Sequence, residues 1–451
     1  MNWEQLISSK RFGQEKKHNA QLEYRSVFER DYDRLIFSSP FRRLQNKTQV
    51  FPLPGNIFVH NRLTHSLEVS CVGRSIGNDV ARELIRRNTQ LEKTGVSMMG
   101  TITSSACLAH DLGNPPFGHS GEKAIATYFS EGKGALLKNK IIEEMGEGQA
   151  EILWNDIIHF DGNANTFRIL THQYEGRREG GFVMTYSTLA SIVKYPYTSV
   201  MCGKKSKFGF FATEVENFRR IADELGLIKN EDNGSRLSYA RYPLVYMVEA
   251  ADDICYEIMD IEDAHKLHII STDETIRLLL NFFEPERAKR IEQSYPNVTD
   301  ANERIIYLRS CVINELEQEC VRAFLENESK ILEGKFRGSL IEHICPRCKR
   351  AYEACSDYAY KHIYRSQEVV DVELAGYRII DTLLDLYVSA VCEPNKAYSK
   401  LLIDRVPSQY QLHADTLHER IIGVLDYITG MTDIYALDLY QKIKGMALPI
   451  I

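Results

Sequence analysis

The sequence predicts a mostly α-helical protein with at most a minor β-hairpin. Apolar residues recur at helical spacing over four long stretches, namely residues 66–87, 242–267, 302–334 and 371–392. Stretches in which polar and apolar residues alternate are short, and only residues 49–54 and 182–187 fit a strand pattern. The 451 residues include only 13 prolines, and several of these mark breaks between the helical stretches.

The composition is typical of a soluble folded protein. Apolar residues make up 44% and charged residues 26% of the chain, and no window approaches the roughly 18 uninterrupted apolar residues of a membrane helix. The N-terminus lacks an apolar core followed by a cleavage site, so we expect a cytoplasmic protein that does not bind membranes. The ten scattered cysteines are then expected to be reduced. A net charge of −7 does not favour nucleic-acid binding by the protein surface as a whole, although local basic clusters can still bind phosphates.

Two parts are expected along the chain, with a boundary near residue 270. Residues 1–270 contain the His and Asp clusters and form the predicted catalytic core. Residues 271–451 read as a helical lobe that packs on this core and completes the binding site. Residues 195–214 have no helical period and are predicted to form a long loop, either functional or simply solvated.

A predicted metal site centres on His110 and Asp111, which end an apolar helix just before the break at 113–116. Imidazole and carboxylate together suit Mn, Fe, Co, Ni or Zn. An isolated His-Asp pair would more simply cap the helix and interact with its dipole. His65 begins another helix, and Asp252 lies in an otherwise apolar one, where an unpaired carboxylate is costly. These four residues therefore make a plausible cage for one divalent ion.

Further polar residues surround this predicted cage. His119 and Glu122 follow the break three residues apart, so they share a helix face and suit general acid or base work, or else a plain surface contact. Tyr256 and Asp260 continue the helix face of Asp252, where a solvent-facing polar stripe is the alternative. Arginines near a metal ligand, among them Arg62, suggest phosphate binding, because guanidinium makes bidentate contacts with phosphoryl oxygens.

A family resemblance is carried by five motifs in a fixed order: FRRLQNKTQV, HNRLTHSLEV, HDLGNPPFGHSGE, EAADDICYEIMDIEDA and YITGMTDIYALDLY. Together they resemble the deoxyguanosinetriphosphate triphosphohydrolase (dGTPase) branch of the HD superfamily, from about residue 25 to 445. The resemblance implies a helical HD-domain core with an appended lobe. It also implies hydrolysis of a deoxynucleoside triphosphate at the α-phosphorus, which releases the deoxynucleoside and intact triphosphate. dGTP is the expected substrate.

The resemblance also implies roles for individual residues. One divalent metal, which could be Mg, Mn, Co, Ni, Fe or Zn, would be held by His65, His110, Asp111 and Asp252. His119 would be the catalytic acid or base, with Glu122 supporting it. The substrate contacts would be Gln49 at the sugar 3′-hydroxyl and Arg62 and Lys194 at the phosphates. Tyr256 and Asp260 would lie around the sugar and triphosphate, and Tyr364 would stack near the sugar. A homo-oligomer is implied too, often a hexamer in bacterial relatives.

The sequence departs from the family pattern at Gly162, in FDGNANTFR, where many relatives have a second histidine. This departure places more of the proton transfer on His119 and leaves Asn163 and Arg168 as expected neighbours of the substrate.

Other readings stay open at this point. One is a nucleotide phosphomonoesterase or phosphodiesterase of the same superfamily. Another is a regulatory protein that binds nucleotides or single-stranded nucleic acid, using the lysines Lys204, Lys205 and Lys207. The pair Cys345 and Cys348 is read as a reduced CxxC on a helix, because a structural zinc site needs a second ligand pair at suitable spacing.

Overall fold

A computed structural model of the chain describes residues 1–15, 25–51, 59–203, 206–294 and 297–446. Over these residues the protein is mostly helical, as predicted, with one two-stranded antiparallel sheet. The α-helices are α1 Trp3–Leu6, α2 Val27–Ile36, α3 Ser39–Arg43, α4 Arg62–Arg87, α5 Met99–Ala109, α6 Gly118–Ser130, α7 Leu137–Met145, α8 Glu147–Ile158, α9 Gly162–Thr171, α10 Tyr186–Ile192, α11 Val215–Glu224, α12 Val245–Lys266, α13 Thr272–Leu280, α14 Pro285–Gln293, α15 Ala301–Leu332, α16 Pro346–His362, α17 Gln367–Cys392, α18 Ala397–Asp404, α19 Leu417–Thr429 and α20 Asp433–Ile443. The strands are β1 Lys229–Asn233 and β2 Arg236–Tyr239.

The four long helices that periodicity predicted are α4, α12, α15 and α17. Side-chain caps mark the starts of α4, α15 and α17. At α4, the Asn61 side chain accepts hydrogen bonds from the backbone N–H groups of Leu63 and Thr64. This cap places His65 in the first turns of α4. Among the described residues, no helix combines the length and the apolar character that crossing a membrane requires.

The β-hairpin forms at a place that the sequence analysis did not predict. It joins β1 to β2 through Gly234, whose φ of 62° suits a tight turn. Residues 182–187 were wrongly expected to be extended, because Thr185 caps α10 and makes only an isolated bridge to Arg11. Part of the other predicted strand, residues 52–54, lies outside the described residues.

In the described part of the predicted loop, residues 195–203 and 206–214, the regular elements are two short 3₁₀ turns, Ser199–Met201 and Ala212–Glu214. Further 3₁₀ turns in the described chain are Leu44–Asn46, Thr89–Thr94, Val96–Met98, Lys133–Leu136, Ile341–His343 and Ser408–Tyr410. Residues 204 and 205, two of the three lysines in this loop, lie outside the described residues.

Two apolar clusters form the core. The first includes residues of α4, α5, α12, α15 and α16. The second includes residues of α6, α8, α17 and α19. Each cluster draws side chains from both sides of residue 270, so the C-terminal helices share apolar packing with the N-terminal ones. The division into 1–270 and 271–451 stays a prediction.

Glycines allow α4 and α5 to pack closely. A Cβ atom at Gly77 would lie 2.8 Å from the Cα of Gly100, and one at Gly73 would lie 2.5 Å from the Cys107 sulfur. Since real Cβ atoms do not approach so closely, these positions suit glycine alone at this helix separation. The close approach brings the start of α4 and the end of α5 to the same region, where His65 and His110 lie.

Candidate metal centre and active site

The start of α4, the end of α5 and the third turn of α12 bring the four predicted metal ligands together. Nε2 of His65 lies 3.1 Å from Oδ1 of Asp252, and Nε2 of His110 lies 3.5 Å from the same oxygen. Ligand atoms of His65, His110 and Asp111 lie within 4.8 Å of one another. The two imidazole rings are 5.4 Å apart between centroids. The arrangement therefore offers nitrogen and carboxylate donors around one point.

His110 is held in the tautomer that a metal ligand needs. Its Nδ1 lies 2.6 Å from the Cys107 carbonyl oxygen, which can only accept, so Nδ1 donates its proton there. Among the described residues, Nε2 of His110 is buried without a hydrogen-bond partner. Such an orphaned nitrogen, facing two carboxylates, fits a divalent cation.

The electrostatics of this cluster favour a positive charge at its centre. Burial disfavours a charged imidazole, yet the Asp111 and Asp252 carboxylates outweigh it and raise the pKa of His110 to about 9. Burial likewise opposes the charged carboxylate of Asp111, but the Arg62 guanidinium lowers its pKa. The carboxylates that attract a proton to His110 would equally attract a metal ion.

Two neighbours orient Asp111. Nη1 of Arg62 donates to Oδ2 of Asp111 at 2.6 Å, and the Asn114 side-chain amide donates to Oδ1. Arg62 is itself buried, and its Nε has no partner among the described residues. The predicted phosphate contact thus lies directly beside the metal cluster and supports one of its carboxylates.

A cavity of about 210 Å³ opens onto the four metal-site residues. Among the predicted site residues, its lining also includes Gln49, Arg62, His119, Glu122, Asn163, Lys194 and Tyr256. Side chains that the sequence analysis did not assign to the site also line it: Asn114, Tyr195, Lys207 and Glu249. Eleven of the thirteen predicted site residues therefore surround one cavity.

Glu122 is held by partners other than His119. Its Oε1 accepts the backbone N–H of Gly162 at 2.8 Å, and its Oε2 lies 3.3 Å from Nζ of Lys207. His119 is exposed, and it makes no hydrogen bond with Glu122 within the described part of the chain. The catalytic pairing of these two residues stays a prediction.

Gly162, at the departure from the family pattern, lies against two side chains of the cavity. A Cβ atom there would lie 2.2 Å from Oδ1 of Asn114 and 2.9 Å from Oε1 of Glu122. Its backbone N–H donates to the Glu122 carboxylate. A larger residue at this position would therefore require the Asn114 and Glu122 side chains to move.

The cationic side chains of the cavity are paired with carboxylates. Lys194 lies 3.2 Å from Glu249, which also accepts from Arg241 at 2.7 Å. Burial opposes the charged ammonium of Lys194, but Glu249 raises its pKa. Lys207 bridges Glu122 and Asp161, the latter at 3.4 Å.

Oε1 of Gln49, by contrast, is buried without a partner among the described residues and is free to accept from a ligand hydroxyl.

Two predicted substrate contacts lie behind Tyr256. The Tyr364 hydroxyl donates to Oδ2 of Asp260 at 2.7 Å, and the Tyr364 ring lies 6.0 Å from the Tyr256 ring. Neither Asp260 nor Tyr364 is among the residues that line the cavity. In this structure they support Tyr256, and their direct contact with substrate stays a prediction.

Arg168, an expected neighbour of the substrate, is instead engaged elsewhere. Its guanidinium donates to both carboxylate oxygens of Asp426 at 2.9 and 2.8 Å, and to Glu214 at 2.7 Å. It lines a different cavity of about 400 Å³, which His172 and His418 also line. Sequence reasoning could not foresee this, because both carboxylates come from distant parts of the chain.

All ten cysteines are free. Cys345 is the N-cap residue of α16, and Cys348 is buried in the first turn of that helix.

Comparisons with known proteins agree with this geometry. The HD domain model matches residues 62–160, which include His65, His110, Asp111, His119 and Glu122, and the phosphohydrolase-associated domain model matches residues 343–442. A deoxyguanosinetriphosphate triphosphohydrolase-like protein of Pseudomonas aeruginosa (strain UCBPP-PA14) is 35% identical over 100% of both chains. One from Synechocystis sp. (strain ATCC 27184 / PCC 6803 / Kazusa) is 37% identical over 99% of this chain and 100% of its own.

A third relative, the deoxyguanosinetriphosphate triphosphohydrolase of Yersinia enterocolitica, is 30% identical over 99% of each chain. Similarity at this level, over the full length and with both domain models matched, shows the family. The chain belongs to the deoxyguanosinetriphosphate triphosphohydrolase family, and it is a hydrolase built on an HD domain.

Proposed function

We propose that this protein hydrolyses deoxynucleoside triphosphates, with dGTP preferred, at the α-phosphorus, and releases a deoxynucleoside and inorganic triphosphate. The observation that carries the proposal is the convergence of four potential metal ligands, His119 and three cationic side chains on one cavity. The similarity to deoxyguanosinetriphosphate triphosphohydrolases supports the substrate class.

One divalent ion would be held by His65, His110, Asp111 and Asp252, whose donors fit it as described above. When bound, such an ion activates water and polarises a phosphoryl oxygen. Nitrogen and carboxylate donors of this kind suit several divalent metals.

The side chains of the protein account for the remaining steps. The leaving group is the 5′-oxygen of the deoxyribose, which needs a proton, and His119 is the exposed imidazole on the cavity that can supply it. Arg62 and Lys194 lie where they can neutralise phosphate oxygens, if the substrate displaces part of their pairing with Asp111 and Glu249. The unpartnered oxygen of Gln49 suits the sugar 3′-hydroxyl. The Tyr256 ring lies beside His65. Packed against C2′ of the sugar, it would leave no room for the 2′-hydroxyl of a ribonucleotide.

Product analysis tests this proposal. Purified protein is incubated with each dNTP and with GTP in the presence of Mg²⁺, Mn²⁺ or Co²⁺, and the products are separated by ion-exchange chromatography. We expect deoxynucleoside and triphosphate, with little turnover of GTP. Asp111→Ala should abolish both turnover and calorimetric metal binding, whereas Asp415→Ala, at an exposed carboxylate, should change neither.

Other products would decide against the proposal. Release of orthophosphate would instead support a phosphomonoesterase, and comparable turnover of GTP and dGTP would remove the role of Tyr256. An Asp111→Ala protein that keeps its activity would refute the metal cage.

Partners and location belong to the same proposal. Exposed apolar side chains such as Leu374 at 66% and Leu401 at 69% suit a homo-oligomer, which light scattering on the purified protein measures. A hexamer, a nucleotide or single-stranded DNA effector and a cytoplasmic location stay predictions.

A further inference from the structure

We propose that Asp433 is a positioning residue that holds the two active-site segments carrying Gln49 and His119. The kinetic part of this inference rests on the proposed function, whereas its structural part does not. Asp433 is the first residue of α20 and lies in the C-terminal part of the chain, outside the residues predicted for the site.

The Asp433 carboxylate joins two distant segments. It is 5% exposed, and its Oδ2 accepts the backbone N–H of Thr48 at 2.8 Å. Its Oδ1 accepts the backbone N–H of Phe117 at 2.9 Å. Thr48 directly precedes Gln49, and Phe117 lies two residues before His119. One buried carboxylate thus fixes the backbone beside both predicted substrate-facing side chains.

The segment before His119 needs such support because its backbone is strained. Phe117 has a φ of 61°, in the left-handed region that costs a non-glycine residue about 1 kcal/mol or more. Phe117 is also the N-cap of α6, and no side chain caps this helix start. The bond to Asp433 therefore stabilises a conformation that the local sequence disfavours and that sets the direction of the first turn of α6.

Neighbouring contacts tie the same C-terminal segment to the same two segments. Nζ of Lys47 donates to the carbonyl oxygens of Asn114 at 2.5 Å and Thr429 at 2.9 Å. Nη1 of Arg43 donates to the carbonyl oxygen of Gly430 at 2.9 Å. The end of α19 and the start of α20 are thereby docked on residues 43–48 and on the break at 113–117.

The chemistry of the two bonds requires an aspartate. Both partners are N–H donors, and a carboxylate supplies two acceptor oxygens. An asparagine would turn its own N–H₂ group toward one of the two donors. Asp433→Asn should therefore lose one of the two hydrogen bonds, to Thr48 or to Phe117, although asparagine is nearly identical in size to aspartate. A residue that only fills space would not show this loss.

The structural arm of the test is hydrogen exchange followed by mass spectrometry on the full chain. In the wild type, we expect peptides covering residues 44–49 and 112–119 to contain protected amides. In Asp433→Asn, exchange in at least one of these peptides should accelerate. Thr432→Ala is the matched control, because Thr432 precedes Asp433 and its hydroxyl accepts the backbone N–H of Tyr435 in the same helix.

The kinetic arm compares turnover and metal binding. Misplacement of a catalytic group by about 1 Å costs on the order of 100-fold in rate, so we expect a kcat loss of about that size in Asp433→Asn. Metal affinity should stay within about threefold of wild type, because the metal ligands lie on or next to α4, α5 and α12. Added to His119→Ala, Asp433→Asn should cost only a few-fold more, since residues that act as a unit are not additive. Thr432→Ala should turn over substrate at the wild-type rate.

Each outcome decides a separate point. Unprotected Thr48 and Phe117 amides in the wild type, or unchanged exchange in Asp433→Asn, would overturn the inference. Faster exchange with an unchanged kcat would overturn the positioning role, and full additivity with His119→Ala would reduce Asp433 to a general stabiliser. A wild type that releases no triphosphate would refute the proposed function, and the exchange comparison would still decide whether Asp433 holds the two segments. If Asp433→Asn does not fold, the wild-type exchange pattern remains the test.

Discussion

Single buried polar residues differ in whether their hydrogen-bonding capacity is used. Arg168 is saturated by Asp426 and Glu214, and such a residue stabilises the fold. Nε2 of His110 and Oε1 of Gln49 are buried without partners among the described residues. Leaving a buried polar atom unpaired costs about 1–3 kcal/mol. Both residues line the cavity, so a ligand there that supplied the missing partners would recover this cost.

Asp156 gives a prediction at the residue scale. Burial is the main cause that raises its pKa from 3.8 to about 7, and only its Oδ2 is bonded, to the N–H of Ala212 at 2.6 Å. Between these two pH values the folded protein holds a proton that the unfolded chain has lost. Stability must therefore fall as pH rises through this window, with a slope approaching about 1.4 kcal/mol per pH unit from this group alone.

The variant Asp156→Asn mimics the protonated side chain and should remove this dependence. In urea unfolding at pH 5 and pH 8, its free energy of unfolding should exceed that of the wild type by a growing margin as pH rises. Asp415→Asn, at an exposed carboxylate, should follow the wild type at both values. An advantage of Asp156→Asn that is equal at both pH values would contradict the titration.

At the scale of elements, the separation between α4 and α5 sets the metal site. Each helix supplies metal ligands at or next to one end, and Gly73 and Gly77 let the two backbones approach. Helical periodicity predicted α4 correctly. It could not predict the distance to α5, because that distance depends on which side chains are absent between the helices.

Gly77→Ala tests this packing. Alanine favours a helix by up to about 1 kcal/mol over glycine, but its Cβ would meet the Gly100 backbone at 2.8 Å. Overpacking of this kind costs about 1–3 kcal/mol, so we expect a lower Tm by scanning calorimetry. Gly148→Ala is the control, because a Cβ there meets no atom within 4 Å and should leave Tm unchanged or higher. Equal effects of the two substitutions would argue against a backbone contact at Gly77.

At the scale of the whole molecule, the C-terminal helices complete the catalytic region. Arg168 at α9 joins Asp426 of α19, while Asp433 of α20 reaches Thr48 and Phe117. Both apolar clusters also combine side chains from the two ends of the chain. The phosphohydrolase-associated part of the family, residues 343–442, thus has a physical role in shaping the site.

Arg168→Met tests the buried link between these parts. It removes the cation and leaves two buried carboxylates unpaired, a change that costs about 3–5 kcal/mol. Urea unfolding should show this loss as a lower midpoint. Arg378→Ala, which breaks an exposed ion pair with Asp381 on α17, should cost less than about 1 kcal/mol. A loss for Arg168→Met no larger than that of Arg378→Ala would show that the triad adds little to stability.

The sequence by itself determined the helical class and the four long helices, and its family motifs named most of the residues that line the cavity. The helices follow from short-range rules, namely helical periodicity and caps such as Asn61, whereas the cavity residues follow from the family resemblance. The prediction of a strand at 182–187 was wrong, because the alternation of polar and apolar residues there is outweighed by Thr185, a local signal that starts helix α10.

Only the tertiary structure decided which partner each buried polar group takes. Glu122 pairs with Gly162 and Lys207 instead of His119, and Arg168 turns away from the substrate toward Asp426. Asp433 reaches an amide 385 positions away in the chain. Contacts across such separations leave no trace in a local pattern, because they form only when packing of the apolar faces has already placed the helices.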